Sequence, residues 1–200
     1  MKISRLIAAA VGLLAAASGA IAQNNTISPY SRFGYGLLSD QANTVQKSMG
    51  GVGIAMRSGR QINFMNPASY AGMDSLTFLF DMGIDIKTLR TTEGNESGKN
   101  FTGGLNYITM QVPLSKWLGA SAGLIPFSQV GYSFGDEIVN GTDSRTGSGA
   151  LNQLYFGLGA RPVKGLSVGV NVSYLFGTLI NDTYVYSGST TSLFERVIEV

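Results

Sequence analysis

Long runs in which every second residue is apolar constrain this 200-residue chain more than any other feature of its sequence. The two longest runs cover residues 75–89 and 165–180, and in the second of them Leu166 and Val168 alternate with Ser167. Successive side chains of a β-strand point to opposite faces, so this period of two predicts strands and not helices. Further strands are predicted at 104–114, 117–134, 150–160 and, as a sixth, 193–200.

The polar face of these runs indicates a membrane environment. It carries mostly Gly, Ser, Thr, Asn and Gln in place of the Lys and Glu that cover a soluble β-sandwich. A transmembrane strand needs about 9–11 residues, which the two longest runs exceed. Small polar side chains suit the interior of a barrel whose apolar face meets lipid. The sequence therefore predicts an all-β protein, a transmembrane antiparallel β-barrel, and the alternative is a soluble β-sandwich.

Composition excludes several classes of protein. The chain has no Cys and no His, which argues against a disulfide scaffold, a thiolate metal site and His-dependent hydrolysis. Only 13% of its residues are charged, about half of the usual fraction. We therefore predict that the chain is not an enzyme and that it has no catalytic residues, no metal and no cofactor.

Residues 1–22 predict a secretory signal peptide. Lys2 and Arg5 precede an apolar Ala/Leu-rich stretch, and cleavage is predicted between Ala22 and Gln23. An uncleaved membrane anchor is the alternative. The mature chain would keep twelve basic and twelve acidic residues, so it would have no basic surface for nucleic acid. The signal and the strands together predict the bacterial outer membrane as location and its lipid as a partner.

Residues 23–74 lie between the signal peptide and the strand region at 75–200, and they lack sustained alternation. Irregular backbone cannot face lipid because its polar groups would have no hydrogen-bond partners. This segment is therefore predicted to be a hatch or plug, in the barrel lumen or the periplasm. It contains two motifs, "GGVGIA" and "NPAS". Their key residues are Gly50, Gly51, Gly53, Asn66, Pro67 and Ala68.

These motifs, ahead of a first barrel strand, resemble the FadL/OMPP1/TodX outer-membrane transport family in the version found in Bacteroidota. The resemblance covers the architecture of the whole mature chain but the motifs of only about residues 28–80. It implies a barrel of about fourteen strands. The five to six strands predicted here are too few to close a barrel, which predicts that this chain is the N-terminal part of a longer protein, with an oligomeric barrel as the alternative. The resemblance also implies passive uptake of hydrophobic compounds such as long-chain fatty acids.

The same resemblance implies a lateral exit for the ligand at a kink in the third strand, next to the NPA motif of the hatch. The third strand, 117–134, contains Pro126, Phe127 and Gly131. Because proline cannot donate to a β-ladder, Pro126 predicts a break in strand pairing. The alternatives are an ordinary bulge or strand rim at Pro126, and a simple turn at the NPA motif.

A second function remains open at this point. Some Bacteroidota members of that family serve protein secretion, which implies a secretion partner or another partner bound at the cell surface. The hydrophobic channel is the main prediction and this role is its alternative. Polar loops predicted at 91–100 and 135–149 would face the exterior in either case.

Overall fold

A computed structural model describes residues 28–73, 78–93, 96–138, 141–187 and 190–200. The predicted signal peptide and its cleavage site lie outside these residues. The first described range, which we call the N-terminal segment, has little regular structure. It contains the 3-10 helices η1 (Pro29–Arg32) and η2 (Pro67–Gly72), the strand β1 (Leu37–Leu38) and the helix α1 (Thr44–Ser48).

Six long strands follow the N-terminal segment. They are β2 (Leu79–Glu93), β3 (Glu96–Ser115), β4 (Leu118–Ile138), β5 (Gly141–Val163), β6 (Leu166–Ser187) and β7 (Thr190–Glu199). Each is antiparallel to the next strand in sequence, so the sheet order is β2-β3-β4-β5-β6-β7. The predicted all-β antiparallel fold is confirmed. Among the described residues β2 and β7 each have one strand neighbour, so the sheet is open there.

The strands are longer than the sequence pattern predicts. β2 to β6 contain 15 to 23 residues, against about 5–6 for a typical strand. The predicted loops at 91–100 and 135–149 are wrong, because Arg90 pairs with Lys99 there and Phe134 with Arg145. Gly, Ser and Asn are typical of turns, but backbone pairing with a neighbouring strand overrides such local preferences.

The two faces of the sheet differ in chemistry, and the apolar face is the exposed one. On β6, alternate side chains from Leu166 to Tyr174 are each more than half exposed. The N-terminal segment covers the opposite face, which carries Gly, Ser, Asn and Tyr. A soluble sheet buries its apolar side, so this arrangement is inverted. No helix in the described part of the chain is long and apolar enough to span a membrane.

Two clusters of buried side chains lie on the covered face. The first joins the N-terminal segment to the sheet and consists of Phe64, Tyr70, Tyr107, Ile125 and Tyr155. The second lies towards the other end of the strands and consists of Val130, Tyr132, Leu151 and Leu179. The first cluster fixes the N-terminal segment against β3, β4 and β5, and this contact surface is the candidate site.

Candidate functional site

The two predicted hatch motifs lie together in the N-terminal segment, joined by two asparagines. The Asn63 side-chain amide donates to the Gly53 carbonyl at 2.6 Å, and that of Asn66 donates to the Ile54 carbonyl at 2.8 Å. Asn66 also accepts from the Ala68 N–H at 3.1 Å. It therefore caps η2, whose first residue is the motif proline, a position that suits a residue without an N–H.

Gly50 and Gly51 end helix α1. Their φ angles are 76° and 83°, in the left-handed region that favours glycine. Their N–H groups donate to the carbonyls of Lys47 and Gln46 at 3.1 and 2.8 Å. These contacts give the glycine pair a local role, which is to reverse the chain after α1.

Three glycines of the sheet, which we call the glycine surface, let η2 approach the strand backbone. They are Gly119 on β4, Gly159 on β5 and Gly169 on β6. A Cβ atom at these positions would meet the backbone of Tyr70, Pro67 and Ala68 respectively at less than van der Waals distance. Glycine within a strand commonly marks such a close backbone approach.

Replacing Gly169 with alanine is expected to loosen the N-terminal segment, because the new methyl group overlaps the backbone at Pro67 and Ala68. Overpacking of this kind costs about 1–3 kcal/mol. Limited proteolysis should show faster cleavage within residues 28–73. The matched control is Gly103→Ala on β3, where the added Cβ would lie 3.5 Å from the Asp85 carbonyl, an ordinary contact. Equal cleavage of the two variants would contradict the assigned role of Gly169.

Tyr70 is the main anchor between the N-terminal segment and the sheet, and it is fully buried. Its hydroxyl donates to Asn171 Oδ1 at 3.1 Å, and its carbonyl accepts from Gln111 Nε2 at 3.2 Å. The Asn171 amide in turn donates to the Phe64 carbonyl at 2.8 Å. Burial raises the pKa of Tyr70 to about 12, so the phenol stays neutral and remains a donor at cellular pH.

A second contact holds helix α1 over β2. Lys47 Nζ lies 2.9 Å from Asp85 Oδ2, which also lies 3.5 Å from Lys87 Nζ. The backbone N–H of Thr44 donates to the Tyr107 hydroxyl at 3.1 Å. The N-terminal segment is therefore attached through both η2 and α1, as a fixed body on the covered face.

The predicted kink residues lie where β4 separates from β3. Pairing of these strands ends at Ile108 with Leu124, two residues before Pro126. On its other side β4 stays paired with β5, with a register shift between Pro126 and Ser128. Since Pro126 has no N–H and the shift adds an unpaired residue, β4 leaves β3 at this point.

Residues 28–41, which we call the strap, take the place of β3 along this part of β4. The Gln41 amide donates to the Pro126 carbonyl at 3.1 Å, and the Ser39 N–H donates to the Phe127 carbonyl at 2.8 Å. β1 pairs with Ser128 and Gln129, and the Ser28 N–H donates to the Gly131 carbonyl at 2.8 Å. The strap therefore covers the β4 edge at all three predicted kink residues.

Sequence reasoning missed the side chains that hold the N-terminal segment, above all Tyr70, Gln111 and Asn171. Each lies within an ordinary strand or turn pattern, so its role depends on contacts between distant parts of the chain. One signal was present, because the polar face of β5 carries Gly157 and Gly159 at alternate positions and that of the neighbouring strand β6 carries Gly169. Such a stripe indicates a surface against which another backbone packs closely.

A family model described as BamG matches residues 3–196, nearly the whole chain. No curated protein and no solved structure matches it. The family match contradicts the resemblance to the FadL/OMPP1/TodX family, and with it the predicted passive uptake of fatty acids through a hatch and a lateral exit. The resemblance misled because its motifs serve capping, turns and close packing, which specify architecture without specifying cargo. The alternative prediction, partner binding at the cell surface, agrees better with the match.

Proposed function

This chain belongs to the BamG family, and from that membership we propose that it works in outer-membrane protein assembly as a component of the BAM complex. The observation that carries the proposal is the family match over residues 3–196. In this role the partners are the other proteins of the complex, and the protein works at the outer membrane.

The exposed apolar face supports contact of the sheet with lipid. Leu166, Val170 and Tyr174 lie on one face of β6 and remain exposed in the isolated sheet. Removing apolar surface from water is favourable by about 25 cal/mol per Å², and lipid is the environment that covers such a face along a whole sheet. We therefore infer that the sheet is part of a transmembrane β-barrel wall.

In that barrel wall the N-terminal segment acts as a plug on the lumenal face. Irregular backbone is excluded from lipid, and the covered face provides its hydrogen-bond partners through Gln111 and Asn171. The glycine surface and the buried Tyr70 hold the segment close to the strands. A fixed plug favours a protein-binding platform over a conduit for small molecules.

The strands are long enough to extend beyond the membrane. At about 3.3 Å per residue, the 22 residues of β6 extend roughly 73 Å. With a tilt near 45°, this corresponds to roughly 50 Å along the membrane normal, about twice the apolar band of an outer-membrane barrel. The alternating apolar residues of β6 end near Phe176, so the remaining half of the strand projects into water, where partner proteins can bind.

Depletion of the full-length protein in its native bacterium tests the proposal. We expect the amount of folded β-barrel protein in the outer membrane to fall several-fold, and the tagged protein to co-purify with other components of the assembly machinery. Re-expression of the wild-type chain is the control and should restore assembly. Normal levels of folded barrel proteins after complete depletion would refute an assembly role.

A further inference from the structure

One edge of β3 has no strand partner in the described structure. From residue 97 to residue 105, β3 pairs with β2 on one side only, and Asn106 pairs with neither neighbour, because pairing with β4 begins at Ile108. The strap does not replace the missing neighbour, since its β1 pairs with β4. We call residues 97–106 the open β3 edge.

Part of the open β3 edge lies beside the apolar band of the sheet. On β2, the exposed apolar side chains Ile84 and Ile86 pair with Leu105 and Gly103 of β3. Residues 97–102 continue beyond Ile86, towards the polar ends of β2 and β3. Unpaired backbone groups are not tolerated in lipid, so an added strand along this edge would provide the hydrogen-bond partners that lipid cannot.

Polar and apolar groups beside this edge fit an extended polypeptide. The Asn106 side-chain nitrogen is buried and has no acceptor among the described residues. Asn106 is also the residue that the register shift between Gly83 and Ile84 leaves without a partner on β2. On the neighbouring strap, four large apolar side chains are exposed above the band: Tyr30, Phe33, Tyr35 and Leu38. Aromatic residues of this kind are enriched at protein interfaces.

The strap itself shows how such an edge is occupied. Leu37 and Leu38 pair with the β4 edge as a short strand, and Ser39 continues the hydrogen bonding to Phe127. Addition of an extended segment to a sheet edge is a general mode of peptide recognition, in which backbone hydrogen bonds give affinity and side-chain contacts give specificity.

We propose that the open β3 edge binds an extended segment of a client polypeptide as an additional strand, with its apolar side chains against the exposed side chains of the strap. That the client is an unfolded strand of an outer-membrane protein rests on the proposed function. Such strands alternate apolar and polar residues, so one face of the bound segment meets the strap while its backbone pairs with β3.

Site-specific photo-crosslinking of the purified full-length protein in detergent tests this inference. The probe is a synthetic peptide with the alternating sequence of residues 166–176 of this chain, and a peptide of the same composition without alternation is the control. The crosslinker replaces Phe101, which is exposed on the open β3 edge, or Tyr186, which is exposed on β6 between two paired strands. We expect at least tenfold more adduct at position 101, and only with the alternating peptide.

A second variant tests the unpartnered amide. Asn106→Leu should weaken peptide binding about three- to tenfold, the loss expected for one hydrogen bond, while the thermal unfolding of the protein stays unchanged or shifts upward. Three results would each overturn the inference: equal adduct at positions 101 and 186, equal binding of the alternating peptide and the control peptide, or a crosslink from position 101 to residues 23–27 of the same chain. Loss of barrel assembly on depletion, without peptide binding, would leave the assembly role intact and refute only the open β3 edge as the client site.

Discussion

A lysine in place of Val170 is expected to prevent stable insertion of the protein into the outer membrane. Val170 is 58% exposed and lies in the middle of the alternating apolar residues of β6. On a lipid-facing position near the bilayer midplane, a lysine costs about 2–4 kcal/mol. The measurement is the free energy of unfolding in lipid vesicles, together with the amount of protein in the outer-membrane fraction.

The Val170 substitution discriminates between lipid and water on the exposed face. On the surface of a soluble protein, an exposed Val→Lys change is usually within about 0.5 kcal/mol of neutral. The matched control is Tyr186→Lys, on the same face and the same strand but beyond the apolar band, where the change should be small in either environment. If both lysines are tolerated equally, the apolar face does not contact lipid.

Alternation along the sequence was enough to predict the strands and the two faces of the sheet. The period of two is a local property, and it fixes which side chains share a face once a strand forms. Strand ends were predicted poorly, because pairs such as Arg90 with Lys99 depend on a partner strand and not on the preferences of single residues. The same pattern was compatible with a soluble sandwich, so it did not determine the environment by itself.

The candidate site was harder to predict from the sequence than the fold was. The motif glycines and Asn66 were identified as residues of a hatch motif, but the hydrogen bonds of Asn66 are local and give no information on a ligand. The anchor through Tyr70 and Asn171 joins residues 101 positions apart, and the strap and Gly131 are about as distant. Contacts of this range follow from how the whole chain packs, so the residue pattern of one sequence gives little indication of them.

Replacing Tyr70 with alanine is expected to release the N-terminal segment from the sheet. The side chain is fully buried against Phe64, Tyr107 and Tyr155, and truncation of a buried aromatic residue costs about 3–5 kcal/mol. The substitution also leaves the Asn171 side-chain oxygen without the Tyr70 donor. Proteolysis of residues 28–73 and the temperature of unfolding measure the release.

The strand pairs do not include Tyr70, so the sheet should survive this substitution while the N-terminal segment detaches from it. Tyr70→Phe is the matched control, because it keeps the ring and removes only the hydroxyl that donates to Asn171. It should cost about 1 kcal/mol, the net contribution of one hydrogen bond. Comparable losses in both variants would mean that the hydrogen bond dominates and that ring burial contributes little. An inserted, protease-sensitive Tyr70→Ala protein that still supports outer-membrane protein assembly would show that docking of the N-terminal segment is not required for the proposed assembly role.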